Sequence, residues 1–558
     1  MPERKKIWKW TALILGGILL VFLAVFVYVL IVSTTKPPEV SDRSALEWQR
    51  KEPFPGLFTV QNDWFRKSNT GLFELYVEGK PFERGVAEGK LTAELIRQQE
   101  DYFNEQITRM VPSKFYLHFL KYVIGWFNRD LDKYVPEEYK EEIYGVSFAA
   151  SDRYRYIGSN YQRILNYHSA HDIGHALQNL ALVGCTSFGT WGKRSANGEL
   201  IIGRNFDFYA GDKFAENKII SFEHPSEGYR FMSVGWGGFI GVVSGMNEKG
   251  LTVTINAAKS EVPSGSATPV SIVAREILQY AKNISEAWTI ARKRKMFVSE
   301  SFLIGSAEDR KAVIIEKTPD SIGLYDPGGQ EILCANHFQS PELGKLRSNR
   351  IQLRQSASVY RYQRLQELLG SVKANTVTET AKILRDRSGL EGADIGMGNE
   401  KALNQLIAHH SVIFEPEHRK VWVSAGPWQL GVYVCYNLDS VFSPGAMRIN
   451  REIASHAEDI PADSFMKESA YLSFLKFREY KKAVSEGVRV DPDSLISSNP
   501  HFYQAYQLAG NEMYAAGDFK KAIDYYRQAL SHEVATKTEE NEIRNRISQA
   551  EEKLKKPS

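Results

Sequence analysis

The chain reads GCTSFGTW from Gly184 to Trp191 and GELIIGRNFDF from Gly198 to Phe208, and the pairing of these two runs decides both fold and chemistry. Each is short and apolar, and Asn197–Gly198 between them is a turn signal, so they read as two strands of a hairpin. The hairpin returns Arg204 and Asp207 beside Cys185. A thiol attacks only as thiolate, a few per cent of the population at neutral pH, so a nucleophilic cysteine needs help. Arg204 is placed to stabilise a thiolate, and Asp207 to accept a hydrogen bond from a nearby amine. A lone cysteine is more often a small buried hydrophobe, and Cys334 and Cys435, in apolar strand-like runs, are read that way.

Outward from the hairpin, the texture is consistent. KIISFEH, YRFMSVGW and GVVSGMNEKGLTVTINAA alternate like strands, with a turn expected at Asn247–Gly250. Helical patterns follow at 270–294. Strands are expected at 300–305, 311–317 and 332–335, and helices at 358–370 and 376–386. The strands SVIFEP (411–416) and KVWVSAG (420–426) close the block. Upstream, LFELYVEG (72–79) reads as a strand and 83–180 as mostly helical, including the apolar, aromatic stretch Phe115–Phe127. Helices, strands, helices and strands again give an α+β layered domain rather than a doubly wound parallel sheet.

Four pieces in order, GCTSF, GELIIGRNFDF, GMNEKGLTVTINA (245–257) and LCANHF (333–338), resemble the autoproteolytic acyltransferase and amidase family of isopenicillin-N acyltransferase. Choloylglycine hydrolases and acid ceramidase are more distant relatives within the amino-terminal-nucleophile hydrolases. The resemblance covers roughly residues 72–440. It implies a four-layer α-β-β-α sandwich and a precursor that cuts itself between Gly184 and Cys185. The new α-amine of Cys185, with an unperturbed pKa of about 8, then serves as base for its own thiol. By the same resemblance Asp207 partners that amine and Arg204 gives electrostatic support. Asn256 and Asn336 help bind the oxyanion, and Arg361, with Arg364 close behind, matches a late arginine. Neither a cofactor nor a metal is implied.

The 558 residues are 43% hydrophobic and 25% charged, a folded composition. Lys and Arg number 70 against 67 Asp and Glu, a formal charge of +3 without an interior basic block, so nucleic acid is not an expected partner. Three cysteines are too few for a disulfide framework or a zinc site. His168, His171 and His175 share a helical face with Asp172, but the set matches no metal signature, and packing near Cys185 is the simpler reading. GWGGFIG (235–241) narrowly misses a nucleotide-binding loop, and no G-x-S-x-G is present.

From Trp10 to Val32 there is no charge, about 34 Å of helix at about 1.5 Å per residue. Arg4, Lys5, Lys6 and Lys9 precede it. An uncleaved single-pass anchor is expected, with the amino terminus cytoplasmic and the catalytic part outside, periplasmic or extracellular. A cleaved signal peptide fits less well, because the run is long and no A-x-A site follows. At the other end, AYQLAGNEMYAAGDFKKAIDYYRQAL (505–530) sets Gly510, Ala522 and Ala529 among Tyr506, Gly517 and Tyr526 as one tetratricopeptide-like unit does. It reads as a helical cap, or as a docking module for a protein partner.

The expected division is a tip and anchor (1–35), a linker (36–70), a mostly helical pro-segment (71–184), the nucleophile-hydrolase domain (185–450) and a helical region (455–558). The expected activity is that of a membrane-anchored, self-cleaving cysteine amidase or acyltransferase. It acts on linear amides of N-acylated, lipid-like compounds through a Cys185 thioester. The alternatives are a phospholipase-like enzyme or lipid amidase on the same fold, and a non-catalytic, membrane-tethered assembly protein that uses the repeat.

Overall fold

A computed structural model of the chain describes residues 2–110, 113, 122, 124–169, 172, 184–209, 211–259, 265–443 and 452–555. Among the described residues, seventeen strands form two sheets. In chain order they are β1 (Lys51–Phe54), β2 (Leu57–Val60), β3 (Asp63–Lys67), β4 (Phe73–Gly79), β5 (Thr186–Thr190), β6 (Ile201–Phe206), β7 (Ile219–Pro225), β8 (Phe231–Gly235) and β9 (Ser244–Asn247). They continue as β10 (Leu251–Ala257), β11 (Glu300–Ser306), β12 (Lys311–Lys317), β13 (Ile322–Tyr325), β14 (Glu331–Cys334), β15 (His410–Glu415), β16 (Lys420–Ser424) and β17 (Tyr433–Asn437). The larger sheet has eleven strands ordered β1-β2-β3-β4-β7-β8-β9-β10-β11-β12-β13, and the smaller has six ordered β14-β5-β6-β15-β16-β17. Neighbours are antiparallel except β4 and β7, which are parallel.

The period-2 alternation of strand side chains makes the layers. Leu303 and Ile314 point inward with Ile202, Val412 and Val423 to form the core between the sheets. Phe302, Ile304, Val313 and Ile315 point outward and pack on the helices Val270–Tyr280 and Ile284–Lys293. On the other side Phe188, Ile413 and Cys435 pack on the helices Ser358–Ser371 and Val377–Leu384. The result is the expected helix–sheet–sheet–helix order. The turn at Asn247 holds because its side-chain oxygen accepts from the Lys249 and Leu251 N–H groups at 3.0 and 3.1 Å, while Gly250 takes φ +75°.

The stretch expected as a linker is more ordered than its composition suggests. Residues 51–67 make three strands that extend the larger sheet, because Leu57, Val60, Trp64 and Phe65 are buried at strand positions. The helix Pro2–Val32 carries the apolar run Trp10–Val32, exposed and long enough to span a bilayer. Its end is held by Gln162 Nε2, which donates to the Ser33 carbonyl. Most of the aromatic stretch 115–127 lies outside the described residues; Phe127 packs edge-on against Phe297.

At the carboxy end, helices Ser469–Ser485, Pro492–Ser498, Tyr503–Ala515, Phe519–Ser531 and Lys537–Lys555 share one apolar core. Gly510 lies flat on the Tyr526 ring, where a Cβ would come within 2.5 Å. The helices dock on the loop before β15. Asn499 Nδ2 donates to the Met397 carbonyl at 2.8 Å, Asn399 Nδ2 to Glu533 O at 2.8 Å, and Gly396 (φ +78°) lies against Phe502 too closely for a side chain.

Candidate active site

Cys185 is the residue before β5, which lies between the edge strand β14 and β6 in the smaller sheet, and Gly184 N–H donates to Asp207 O at 2.9 Å. Register pairs Ser187 with Arg204, so alternation turns Cys185, Ser187 and Arg204 toward the larger sheet. Arg204 is fully buried and crosses the interlayer. Its Nη1 donates to Val243 O at 2.9 Å and to Ser244 Oγ; its Nη2 donates to Ile255 O and lies 3.7 Å from Cys185 Sγ. Burial pushes the Cys185 thiol up to about 11; Arg204 and Arg361 pull it back, while Asp207 and Glu300 push it further.

Asp207 is equally buried. Burial raises its carboxyl to about 7 against the pull of Arg361 and Arg204. Among the described residues neither of its carboxylate oxygens has a hydrogen-bond partner. An unpaired buried carboxylate is costly, and native structures keep few such groups.

The Gly184 carbonyl, one bond from Cys185 N, is the most heavily supported group in the site. Arg361, in the first turn of the helix Ser358–Ser371, donates through Nη1 to Gly184 O, to Cys185 O at 2.8 Å and to Thr186 Oγ1 at 3.0 Å. Gln405 Nε2 donates to Gly184 O at 2.8 Å. Arg361 Nη2 donates to Asn336 Oδ1 at 2.8 Å, and Asn336 Nδ2 to Ala257 O at 2.9 Å. Asn256 accepts from Ser187 Oγ at 2.9 Å and donates to the Cys334 and Ala335 carbonyls at 3.2 and 3.3 Å. The fold thus brings Cys185, Arg204, Asp207, Asn256, Asn336 and Arg361 together. Among the described residues the side-chain donors on the Gly184 carbonyl are Arg361 and Gln405, and both asparagine amides are engaged elsewhere. Arg364 is directed away, paired with Asp386 at 2.9 Å.

Sequence reasoning missed Gln405, Ser244, Glu300, His409 and His410. Arg204 donates to Ser244 Oγ, which leaves the Ser244 hydrogen for His410 Nε2 at 2.8 Å. His410 then carries its proton on Nδ1 and donates it to His409 Nδ1 at 2.8 Å. Both rings are neutral, held well below the ordinary histidine range first by burial, with Lys218 and Arg204 adding to it. Burial also pushes the Lys218 amine down to about 7. Glu300, at the start of β11 beside Ala257, is a second buried carboxyl, raised well above its usual range by burial.

His168 does not offer a metal ligand. Its Nδ1 bonds Ile164 O at 2.8 Å and its Nε2 accepts from Ile240 N–H at 3.0 Å. Asp172 accepts from Val270 N–H at 2.9 Å, and His171 and His175 lie outside the described residues.

Residues 194–427 match the family model described as acyl-coenzyme A:6-aminopenicillanic acid acyl-transferase. Over 399 residues, 64% of this chain, the sequence is 23% identical to an uncharacterized protein of Archaeoglobus fulgidus, covering 65% of that protein. It is 23% identical over 271 residues to protein dcd1B of Dictyostelium discoideum, 45% of this chain and 51% of that one. The chain thus spans between half and two thirds of the length of these curated relatives. Among solved structures it is similar to the Caenorhabditis elegans ortholog of N-acylethanolamine-hydrolyzing acid amidase (16% identity, 42% of this chain and 93% of that chain, TM-score 0.30). It is also similar to the conjugated bile acid hydrolase of Clostridium perfringens (12% identity, 43% of this chain and 89% of that chain, TM-score 0.28). The segment that the family model matches holds Arg204, Asp207, Asn256, Asn336, Arg361 and Gln405.

Proposed function

We propose that the chain cuts its own Gly184–Cys185 bond and then uses Cys185 on the amide of an N-acylated small molecule. The observation that carries this reading is the Gly184 carbonyl, held by Arg361 and Gln405 beside a thiol that has Arg204 at 3.7 Å. Attack of Cys185 Sγ on the Gly184 carbonyl carbon puts negative charge on an oxygen that already faces two donors, where such donors act most strongly. The Gly184–Cys185 C–N bond breaks, the nitrogen gains a proton as the Cys185 α-amine, and Gly184 remains as a thioester on sulfur. Water then releases the Gly184 carboxylate and restores the thiol.

The cut changes the electrostatics of the site. A cationic α-amine appears next to the Cys185 thiol, and Asp207, unpaired in the uncut chain, is its partner of opposite charge. As a free base the amine accepts the thiol proton, so no histidine is needed. The thiolate attacks a substrate amide, Arg361 with Asn336 and Asn256 supports the developing oxyanion, and the amine product leaves with a proton from the α-ammonium. Water or a second amine then removes the acyl group from sulfur. The basic residues Arg4, Lys5, Lys6 and Lys9 before the apolar helix support a single-pass anchor with the catalytic domain outside, facing lipid-like substrates.

The test is a denaturing gel with terminal sequencing. Self-cleavage gives fragments of 184 and 374 residues, the larger beginning at Cys185. Cys185→Ala remains one chain and is inactive, and an N-acyl substrate quenched in acid leaves its acyl mass on Cys185. A wild-type protein that is fully active and uncut sinks the mechanism.

A further inference from the structure

A cavity of about 490 Å³ opens beside the site, between the nucleophile-hydrolase domain and the carboxy-terminal helices. Gln405 belongs to both, since its side chain lines the cavity while its Nε2 bonds Gly184 O. A Cβ on Gly184 would meet Gln405 Nε2 at 2.3 Å, so the Gln405 amide is what stands between Gly184 and the cavity. One wall is a single stripe of the helix Ser469–Ser485. Phe474, Phe477, Arg478, Lys481, Lys482 and Ser485 all line the cavity, at the spacing of one helical face.

That stripe changes character along its length. Phe474 and Phe477 are buried, while Lys481 and Lys482 are exposed, about 10 Å further along the helix axis at about 1.5 Å per residue. Lys481 Nζ donates to Gln504 at 2.7 Å, Lys482 lies 4.0 Å from Glu486, and Arg478 stacks 4.7 Å from the Trp428 ring centre. Lys213 adds a fourth cation, 3.8 Å from Glu105. Against these cations the lining has the carboxyls of Glu105 and Glu400, the latter within electrostatic reach of Lys481 and Arg361. Along this helix the lining passes from the buried Phe474 and Phe477 to the exposed Lys481 and Lys482, and Gln405 and Glu400 line the cavity on the side of Arg361.

Resting on the function proposed above, we infer that this cavity seats the substrate and that Arg478, Lys481 and Lys482 select an amide whose other end carries a carboxylate. The selecting residues lie outside the matched segment 194–427, on the helix Ser469–Ser485.

The test compares three amides on the full-length protein: N-dodecanoylethanolamine, N-dodecanoylglycine, and the ethanolamide of dodecanedioic acid. The first is neutral, the second carries its carboxylate on the amine side, and the third on the acyl side. At least one carboxylate compound is expected to exceed the neutral amide in kcat/KM by about tenfold, the scale of a hydrogen bond to a charged group. Lys481→Gln with Lys482→Gln should abolish that ratio, and Lys481→Arg with Lys482→Arg should keep it. Equal rates on all three amides, or a ratio unmoved in the glutamine pair with binding also unmoved, overturn the inference. Binding is read by calorimetry on uncut Cys185→Ala, with N-dodecanoylglycine and the dodecanedioic ethanolamide as probes. If no amide is hydrolysed, the activity reading fails by itself, and binding still decides whether the lysines recognise the anion.

Discussion

Gln405 Nε2 donates to the Gly184 carbonyl oxygen at 2.8 Å, from a loop that the carboxy-terminal helices hold in place. The same oxygen accepts from Arg361. Replacing Gln405 by Leu removes one of the two described side-chain donors from the oxygen that becomes an oxyanion in the proposed cleavage. The 184- and 374-residue fragments should then form about 10²-fold more slowly. Gln405→Glu, which turns an acceptor toward that oxygen, should be slower still. Gel densitometry after synthesis is the measurement, and wild-type kinetics in both variants would remove Gln405 from the cleavage step.

Asp207 gives a pH signature. Its ordinary carboxyl value is about 3.9, and in the uncut fold burial raises it to about 7. A raised carboxyl means that the folded chain binds the proton more tightly than the unfolded chain. The uncut protein is therefore penalised as pH rises from about 4 to about 7, by a few kcal/mol once Asp207 is ionised. In a Cys185→Ala background, Asp207→Asn should be more stable than its parent in urea at pH 8 and indistinguishable from it at pH 3. In otherwise wild-type protein the same substitution should abolish turnover.

The chain from Arg204 through Ser244 to His410 fixes the guanidinium that faces the thiol. Ser244→Ala leaves Arg204 Nη1 with the Val243 carbonyl alone and strands His410 Nε2. Loss of a buried hydrogen bond of this kind costs about 1–3 kcal/mol. The larger effect should be electrostatic. With Arg204 less firmly placed, the midpoint for alkylation of Cys185 should move to higher pH, and kcat should fall more than KM rises. An unchanged alkylation profile would make this network purely structural.

The exposed helix makes a separate prediction. Leu19 and Phe22 are 70% and 68% exposed, near the middle of the apolar run. Arginine at each position costs about 2.5–3.5 kcal/mol for a helix crossing a bilayer. Leu19→Arg with Phe22→Arg should move the protein from the carbonate-resistant membrane fraction to the supernatant. Retention of the double variant in that fraction would argue against a spanning helix.

The strands around Cys185 could be read from the sequence because they alternate over whole elements. The runs at 300–305 and 311–317 became β11 and β12 with boundaries nearly unchanged. Arg204 and Asp207 could be read because they sit on the hairpin that carries the cysteine. Gln405, His409 and His410 could not. They lie in and just after a loop without periodicity, and they reach the site only because β15 pairs with β6, setting His410 opposite Phe206. β1 to β3 were missed for another reason. Pro53, Gly56 and several charges interrupt the pattern, and β1 is exposed at every position, so its pairing with β2, not its composition, makes it a strand.

The parallel pair β4–β7 has a further meaning. β4 precedes Cys185 and β7 follows it, yet they are joined in seven register pairs from Phe73–Ile219 to Gly79–Pro225. The buried Arg275, from the later part, also pairs with Glu142 of the earlier part at 3.3 Å. If the Gly184–Cys185 bond is cut as proposed, no covalent link joins the apolar helix to Cys185. What would then moor the part with Cys185 to the part with the apolar helix is the backbone ladder of β4 and β7, with the buried Arg275–Glu142 pair beside it. Such a mooring is invisible on a denaturing gel and intact in native mass measurement. On the proposed cut and anchor, the part that carries Cys185 would leave a membrane only by unpairing β7 from β4.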